Sequence, residues 1–258
     1  MADVKRALTI GGSDPTGGAG IQMDLKVFQS LGVWGLSCIT NITVQTTFGV
    51  EKITKVPPHI IARQIDAAVL DIGINACKIG MLYSPRTVSV VAERIRRRHI
   101  PNVVLDPIIK AKNGRALLTP KALKRLKKEL IPLALILTPN LPEAEEISGI
   151  PIKSLQDMEE AGKKIKEMGA EFVLIKGGHL PSEPVDILYD GENFHYFPSE
   201  RIKKNVHGTG CILSSAIAGY LAKGENPIDS VRLAIEFTRS AIERALLLGK
   251  GPYYLVPF

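Results

Sequence analysis

The stretch Asn205 to Gly224, NVHGTGCILSSAIAGYLAKG, decides how this chain is read. It sets Gly208, Thr209, Gly210 and Cys211 directly before an apolar helical repeat of Ile212, Leu213, Ala216, Ile217, Tyr220 and Leu221. Glycine reaches positive φ at little steric cost, so two glycines let neighbouring backbone N–H groups turn toward one point. The helix that follows leaves its first N–H groups unpaired and adds a positive partial charge. Together these accept an anion, most often a phosphoryl group. Cys211 falls in the first helical turn, where the same field is expected to lower its pKa and favour thiolate. The same residues also read as a tight turn into a core helix with a buried structural cysteine. The remainder of the chain decides between the two.

Working outward, short β-rich runs alternate with helical patterns almost from end to end. Expected strands are Ala7–Ile10, Leu36–Val44, Ala76–Ile79, Val103–Leu105, Leu133–Leu137 and Phe172–Ile175. Helical patterns lie near Ile21–Leu31, His59–Leu70, Pro85–Arg98, Pro120–Leu130 and Leu155–Met168, with two more after Gly210 and Pro227. Such alternation implies a mostly parallel sheet with helices on both faces and right-handed connections. Val185–Tyr189 and Asn193–Phe197 flank Asp190-Gly191, which predicts an antiparallel hairpin at the sheet edge. No internal repeat or interdomain linker interrupts the 258 residues, so residues 1–258 are expected to form one α/β domain.

Composition narrows the function. The net charge of +7 favours anionic partners. Its basic runs, Arg94 to Arg98 and Lys121 to Lys128, read as solvated helix faces, and no nucleic-acid motif with interleaved aromatics accompanies them. Cys38, Cys77 and Cys211 are odd in number and widely spaced, against a disulfide framework or zinc site and in keeping with a reducing cytoplasm. Neither a signal peptide nor a membrane-spanning run is expected.

In open α/β sheets, ligands bind beyond the carboxyl ends of the strands, and four informative loops fall there. TIGGSDPTGGAGIQMDLKVF is glycine-rich but has neither dinucleotide nor Walker spacing. Its glycines suit close approach to a compact ligand, with Asp24 reaching that ligand or lying exposed on a helix. In ITNITVQTTFGV, Gln45 offers one acceptor and two donors on a flat group, suited to an aminated heteroaromatic edge. It reads equally as a surface turn residue. Met81, in ACKIGML after the strand, is a core filler or a pocket wall.

In VVLDPIIKAKNGRALL, Asp106 ends a strand where a carboxylate can orient Mg²⁺, or caps a turn. Lys110 and Lys112 follow in a Lys/Asn/Gly segment able to fold over phosphates. Finally, LILTPNLPEAEEISG sets Asn140 and Glu143 in a Pro-bounded turn, and FVLIKGGHL places Lys176 after the next strand. Polar oxygens for hydrated Mg²⁺ beside a cationic phosphate contact make a nucleotide half-site. Glu143, Glu145 and Glu146 also read as an acidic first helical turn.

GSDPTGGAGIQMDLKVF, DPIIKAKNG, TPNLPEAE, KGGHL and HGTGC, in this order, resemble the ribokinase superfamily, specifically the hydroxymethylpyrimidine kinase/hydroxymethylpyrimidine-phosphate kinase family of thiamine biosynthesis. The resemblance covers nearly the whole chain. It implies a three-layer α/β/α fold, ATP as co-substrate, Mg²⁺, a small pyrimidine substrate, a cytoplasmic setting and, in many members, a homodimer. By motif position it puts pyrimidine recognition on Gln45, with Gly12, Ala19, Asp24, Thr43, Met81 and Ile108 around it. Asp106 and Glu143 fall in the Mg²⁺ shell, and Asn140, Lys176 and Thr209 on the nucleotide side. Cys211 falls at the general-base position, where sugar kinases of the superfamily carry aspartate, with Gly208 and Gly210 beside it. The C-terminus departs from the pattern: GKGPYYLVPF stands where members commonly carry a Gly-x-Gly-His-Gly-Pro-like segment.

Two other kinds of protein fit part of this pattern: a pyridoxal kinase of the same superfamily and a non-catalytic pyrimidine-binding regulator. An NAD-dependent dehydrogenase fits less well, because neither glycine loop has the required spacing.

Overall fold

A computed structural model describes residues 4–178, 184–199, 204 and 206–257. Met1–Asp3, His179 and Leu180 of the KGGHL motif, and Asn205 lie outside the described residues.

Eight helices and eleven strands follow one another among the described residues. They are β1 (Arg6–Ser13), α1 (Gly20–Ser30), β2 (Trp34–Thr46), β3 (Gly49–Lys55), α2 (Pro58–Ala67), β4 (Ala76–Ile79), α3 (Pro85–Arg98), β5 (Val103–Leu105), α4 (Pro120–Arg125) and β6 (Ile136–Leu137). Then come α5 (Leu141–Ser148), α6 (Leu155–Lys166), β7 (Phe172–Ile175), β8 (Val185–Tyr189), β9 (Phe194–Pro198), β10 (Val206–His207), α7 (Thr209–Lys223), α8 (Pro227–Glu243) and β11 (Tyr253–Tyr254).

Helix starts follow local chemistry. Ser84, Thr119 and Asn226 cap α3, α4 and α8, each accepting a backbone N–H, and each is followed by a proline whose missing N–H costs nothing in a first turn.

Nine strands form one sheet in the order β3-β2-β1-β4-β5-β6-β7-β8-β9. Pairing from β2 through β7 is parallel, whereas β3 and the β8–β9 hairpin run antiparallel. Because successive strand residues face opposite sides, Leu8, Leu105 and Leu137 pack with α2 to α6. Their neighbours Ala7, Val104 and Ile136 pack with α1, α7 and α8. The result is the expected three-layer α/β/α arrangement, with the buried core split between two layers. Among the described residues no helix is long and apolar enough to cross a membrane.

Several elements differ from expectation. The hairpin pairs Tyr189 with Phe194 and Val185 with Pro198, one residue later in its second strand than the pattern predicts. Leu133 closes a 3₁₀ turn, and β6 is only Ile136–Leu137. The helical patterns ending at Leu70 and Leu130 each finish in a π-type turn after Ala67 and Arg125. The Pro-bounded turn is the start of a regular helix, α5. Strand β3 was not foreseen, and it makes a second antiparallel edge.

Candidate active site

The carboxyl ends of the parallel strands open into one cleft of about 990 Å³, its open mouth included. Every residue to which the family resemblance gave a site role lines it. Gly12 comes from β1, and Ala19 and Asp24 from the start of α1. Thr43 and Gln45 come from β2, Met81 follows β4, and Asp106 and Ile108 follow β5. Asn140 and Glu143 come from the start of α5, Lys176 follows β7, and Gly208, Thr209, Gly210 and Cys211 open α7.

The glycine loop takes its shape from close packing. Gly208 has φ of 90° and caps α7, and a Cβ there would overlap the Gly18 carbonyl oxygen. The HGTGC turn therefore rests on the GGAG loop of the first motif. A Cβ built on Gly210 would lie 3.4 Å from Lys176 Nζ and 3.6 Å from Asp106 Oδ2, so a cation and a carboxylate flank the first turn of α7. Lys176 Nζ lies 3.2 Å from Asp106 Oδ1. Burial works against its charge, but Asp106 and Glu143 more than offset it and hold the Lys176 pKa above the ordinary lysine value.

Asn140 and Glu143 form a capping box: Asn140 Oδ1 accepts the Glu143 N–H and Glu143 Oε2 accepts the Asn140 N–H, both at 2.9 Å. Burial pushes the Glu143 carboxyl up to about 7; Lys176 pulls it down, and Asp106 adds to the rise. Glu145 does not face the cleft; it accepts the Ile152 N–H at 2.7 Å. Among the described residues no group of three or more metal-ligating His, Cys, Asp or Glu side chains converges.

Two expectations are corrected. Cys211 is buried and its thiol is pushed up to about 11, not lowered. Desolvation dominates; Lys78 pulls it down, while Asp24 and Asp106 add to the rise. The helix field read from sequence is thus outweighed by burial, and the thiol is neutral in the substrate-free cleft. Asp24 is neither exposed nor left with an open oxygen. It is fully buried, receives Lys78 Nζ at 2.9 Å on both oxygens, and accepts the hydroxyls of Thr9 and Ser215 at 2.6 Å.

Lys110 is exposed and pairs with Glu146 at 3.6 Å. Lys112 instead reaches across the cleft and donates to the Val206 carbonyl, with burial lowering its pKa.

Sequence reasoning missed Lys78, Asp14 and His207. His207 Nε2 lies 3.4 Å from Gln45 Nε2 and 3.8 Å from Asp14 Oδ2, and its ring meets Tyr254 edge-on at 5.8 Å. Asp14 also accepts from the Thr16 and Ala19 amides. Its carboxyl is held below the ordinary value: burial opposes this, but the His207 and Thr16 contacts outweigh it. The signal for Lys78 was available, a lysine inside an otherwise apolar β-run. His207 had only its place beside Gly208.

A family model described as phosphomethylpyrimidine kinase matches residues 14–255. The chain is 44% identical to the hydroxymethylpyrimidine/phosphomethylpyrimidine kinase of Escherichia coli, over 95% of this chain and 93% of that one. It is 45% identical to the thiamine biosynthesis bifunctional protein ThiED of Geobacter sulfurreducens over 95% of its own length, and spans about half of that longer protein, 50%. Among solved structures, an ADP complex of Bacillus subtilis pyridoxal kinase superposes with a TM-score of 0.90 at 36% identity, covering 98% of both chains. A phosphomethylpyrimidine kinase from Clostridium difficile superposes with a TM-score of 0.84 at 44% identity, covering 92% of this chain and 99% of that one.

Proposed function

We propose, starting from the fact that this chain belongs to the phosphomethylpyrimidine kinase family and is a phosphotransferase, that it phosphorylates 4-amino-5-hydroxymethyl-2-methylpyrimidine and then its monophosphate, using ATP and Mg²⁺. The observation that carries this reading is the meeting of two half-sites in one cleft. Gln45, Met81 and Thr43 line one part, and the amides of Gly208 to Gly210 with Lys176 and Asp106 line the other.

In this reading the pyrimidine ring lies against Gln45 and Met81, with its hydroxymethyl group toward Cys211. The sulfur takes the hydroxyl proton as the oxygen bonds to the γ-phosphorus and the bond to the ADP oxygen breaks. Because phosphoryl transfer needs little covalent help, positioning and charge neutralisation dominate. The first-turn amides of α7 and the Lys176 ammonium hold the charge that develops on the phosphoryl oxygens. The second phosphorylation needs no base, since the attacking phosphate oxygen is already ionised.

The donor set suits Mg²⁺. Asp106 and Glu143 are buried carboxylates, Asp106 adds to the cost of ionising Glu143, and a divalent cation relieves that cost. Glu143 already accepts backbone N–H groups, which favours contact through metal-bound water. When bound, Mg²⁺ supplies charge neutralisation at the phosphate oxygens.

Family resemblance extends the reading to a homodimer in the cytoplasm, with residues 1–258 as one kinase domain. Light scattering of the purified chain checks the dimer.

ADP release measured with hydroxymethylpyrimidine, its monophosphate and pyridoxal tests the reading. Turnover of both pyrimidines supports it. The likeness to pyridoxal kinases supports pyridoxal phosphorylation as the second reading, and it prevails if pyridoxal alone is turned over. Tight pyrimidine binding without ADP release would make the protein a regulator and overturn both.

A further inference from the structure

The transfer described above makes no direct use of Lys78, the largest charged side chain fully buried among the described residues. It sits in β4 with 1% of its surface exposed, paired with an Asp24 that has none. An ammonium carries three N–H donors. The two Asp24 oxygens accept from it at 2.9 Å. Burying a cation is costly unless the site supplies opposite charge and acceptors.

What the ammonium shares is a wall of the cleft with Cys211. A Cβ on Gly80, just past the end of β4, would lie 3.1 Å from Lys78 Nζ, which puts the charge at the end of a strand that packs against α7. Ser215, one helical turn beyond Cys211, donates to Asp24 Oδ1 at 2.6 Å and so ties that turn to the ion pair. From the other side, the Gly20 amide at the start of α1 donates toward the Cys211 sulfur. Four charged groups act on that sulfur: Lys78 from β4, Asp24 from α1, Asp106 after β5 and Lys176 after β7. Lys78 lowers the cost of an anion there, and the two carboxylates raise it.

We propose that Lys78 is a positioning residue for phosphoryl transfer: its ammonium, aimed by Asp24, holds the anionic sulfur of Cys211 in the form that receives the substrate's proton. The inference rests on the base role of Cys211. The thiol first loses its proton to solvent, and Lys78 with the Gly20 N–H balances the charge. The substrate hydroxyl then gives its proton to sulfur as the oxygen–phosphorus bond forms and ADP departs, leaving a neutral thiol.

Iodoacetamide alkylation of Cys211 in the substrate-free protein, read across a pH series by peptide mass spectrometry, tests this. Lys78→Arg keeps a cation beside Asp24, so alkylation at pH 8 stays near the wild-type rate. Asp24→Asn/Lys78→Met removes the pair together and strands no buried charge. Alkylation then falls about threefold or more below wild type, as about half a pKa unit requires, because the pull of Lys78 on the sulfur exceeds the opposing push of Asp24. Asp24→Asn/Lys78→Gln, whose amides can pair, serves if the methionine variant folds poorly. Equal rates with and without Lys78 overturn the proposal. In turnover, loss of the pair lowers kcat for the alcohol and spares kcat for the monophosphate; equal losses mean a merely structural pair. If the wild-type enzyme leaves the pyrimidine alcohol untouched, the functional reading fails, while alkylation still reports whether Lys78 acts on the sulfur.

Discussion

At the residue scale, the proposed base role of Cys211 makes the first phosphorylation depend on pH. Burial pushes its thiol up to about 11, and only the deprotonated sulfur can take a proton. Below that value each pH unit changes the thiolate population tenfold. For the alcohol, kcat/KM should therefore rise by about tenfold per unit between pH 7 and 9, because this constant reports the free enzyme. For the monophosphate, whose second ionisation lies near 6, the profile should be flat over the same range. A flat profile for both would remove Cys211 from proton transfer. Cys211→Ala should slow the first step by about 10²-fold or more and the second far less. Cys211→Ser should be as slow as Ala if the sulfur is the base, and near wild type if it only hydrogen-bonds. The position of Cys211 was legible from HGTGC, since glycine spacing and helix onset are local. Its charge state was not. The groups that set it, Lys78, Asp24 and Asp106, are scattered over three other elements, and burial is a property of the folded chain.

At the scale of elements, α5 shows how one carboxylate serves two purposes. TPNLPEAE carries a capping box, with Asn140 and Glu143 exchanging backbone hydrogen bonds, and the same two residues face the cleft. The motif was visible as spacing, but a turn and a helix start look alike when two prolines bracket two residues. Glu143 is destabilising when ionised in the metal-free protein, since its folded pKa of about 7 lies above the ordinary 4.5. A raised acid pKa gives stability that is present below about 4.5 and is lost as pH rises through 7. Glu143→Gln keeps the capping geometry and deletes the charge. With chelator present, its Tm should exceed that of wild type at pH 8 by roughly 2–4 °C, the effect of about 1 kcal/mol in a chain near this size. The difference should shrink toward pH 5. Scanning calorimetry at the two pH values checks it, and a difference that does not depend on pH would refute the charge argument. Strand β3 was less legible than α5. Its GVEKITK run buries only Val50 and partly covers Ile53, and a register shift between Val44 and Gln45 breaks the alternation of its partner.

At the scale of the whole molecule, the α/β order was readable because each strand divides its residues between two helical layers, leaving continuous apolar runs that propensity detects. The closure of the cleft was not readable, because it joins segments from opposite ends of the chain. Gly249 and Gly251, in the C-terminal segment, pack on Thr47 in the β2–β3 turn. Beyond them β11 pairs with β10, which brings Tyr254 against His207 and the GGAG loop. Lys112 crosses to Val206, and Asn113 approaches the Val50 carbonyl at 3.4 Å. The tail, the β2–β3 turn and the Lys112 loop thus form one rim, and Gln45 and His207 stand on it. A Cβ on Gly251 would overlap the Thr47 carbonyl oxygen and lie 2.8 Å from its carbon, a backbone that cannot swing aside as a side chain can. Gly251→Ala should therefore lift the tail off the turn and disturb the pyrimidine end of the cleft, leaving the core layers intact. KM for the pyrimidine alcohol should rise about tenfold, the effect of about 1.4 kcal/mol, with Tm and the KM for ATP nearly unchanged. Steady-state kinetics with each substrate varied in turn makes the measurement. A rise confined to the ATP KM would instead place the tail at the nucleotide end.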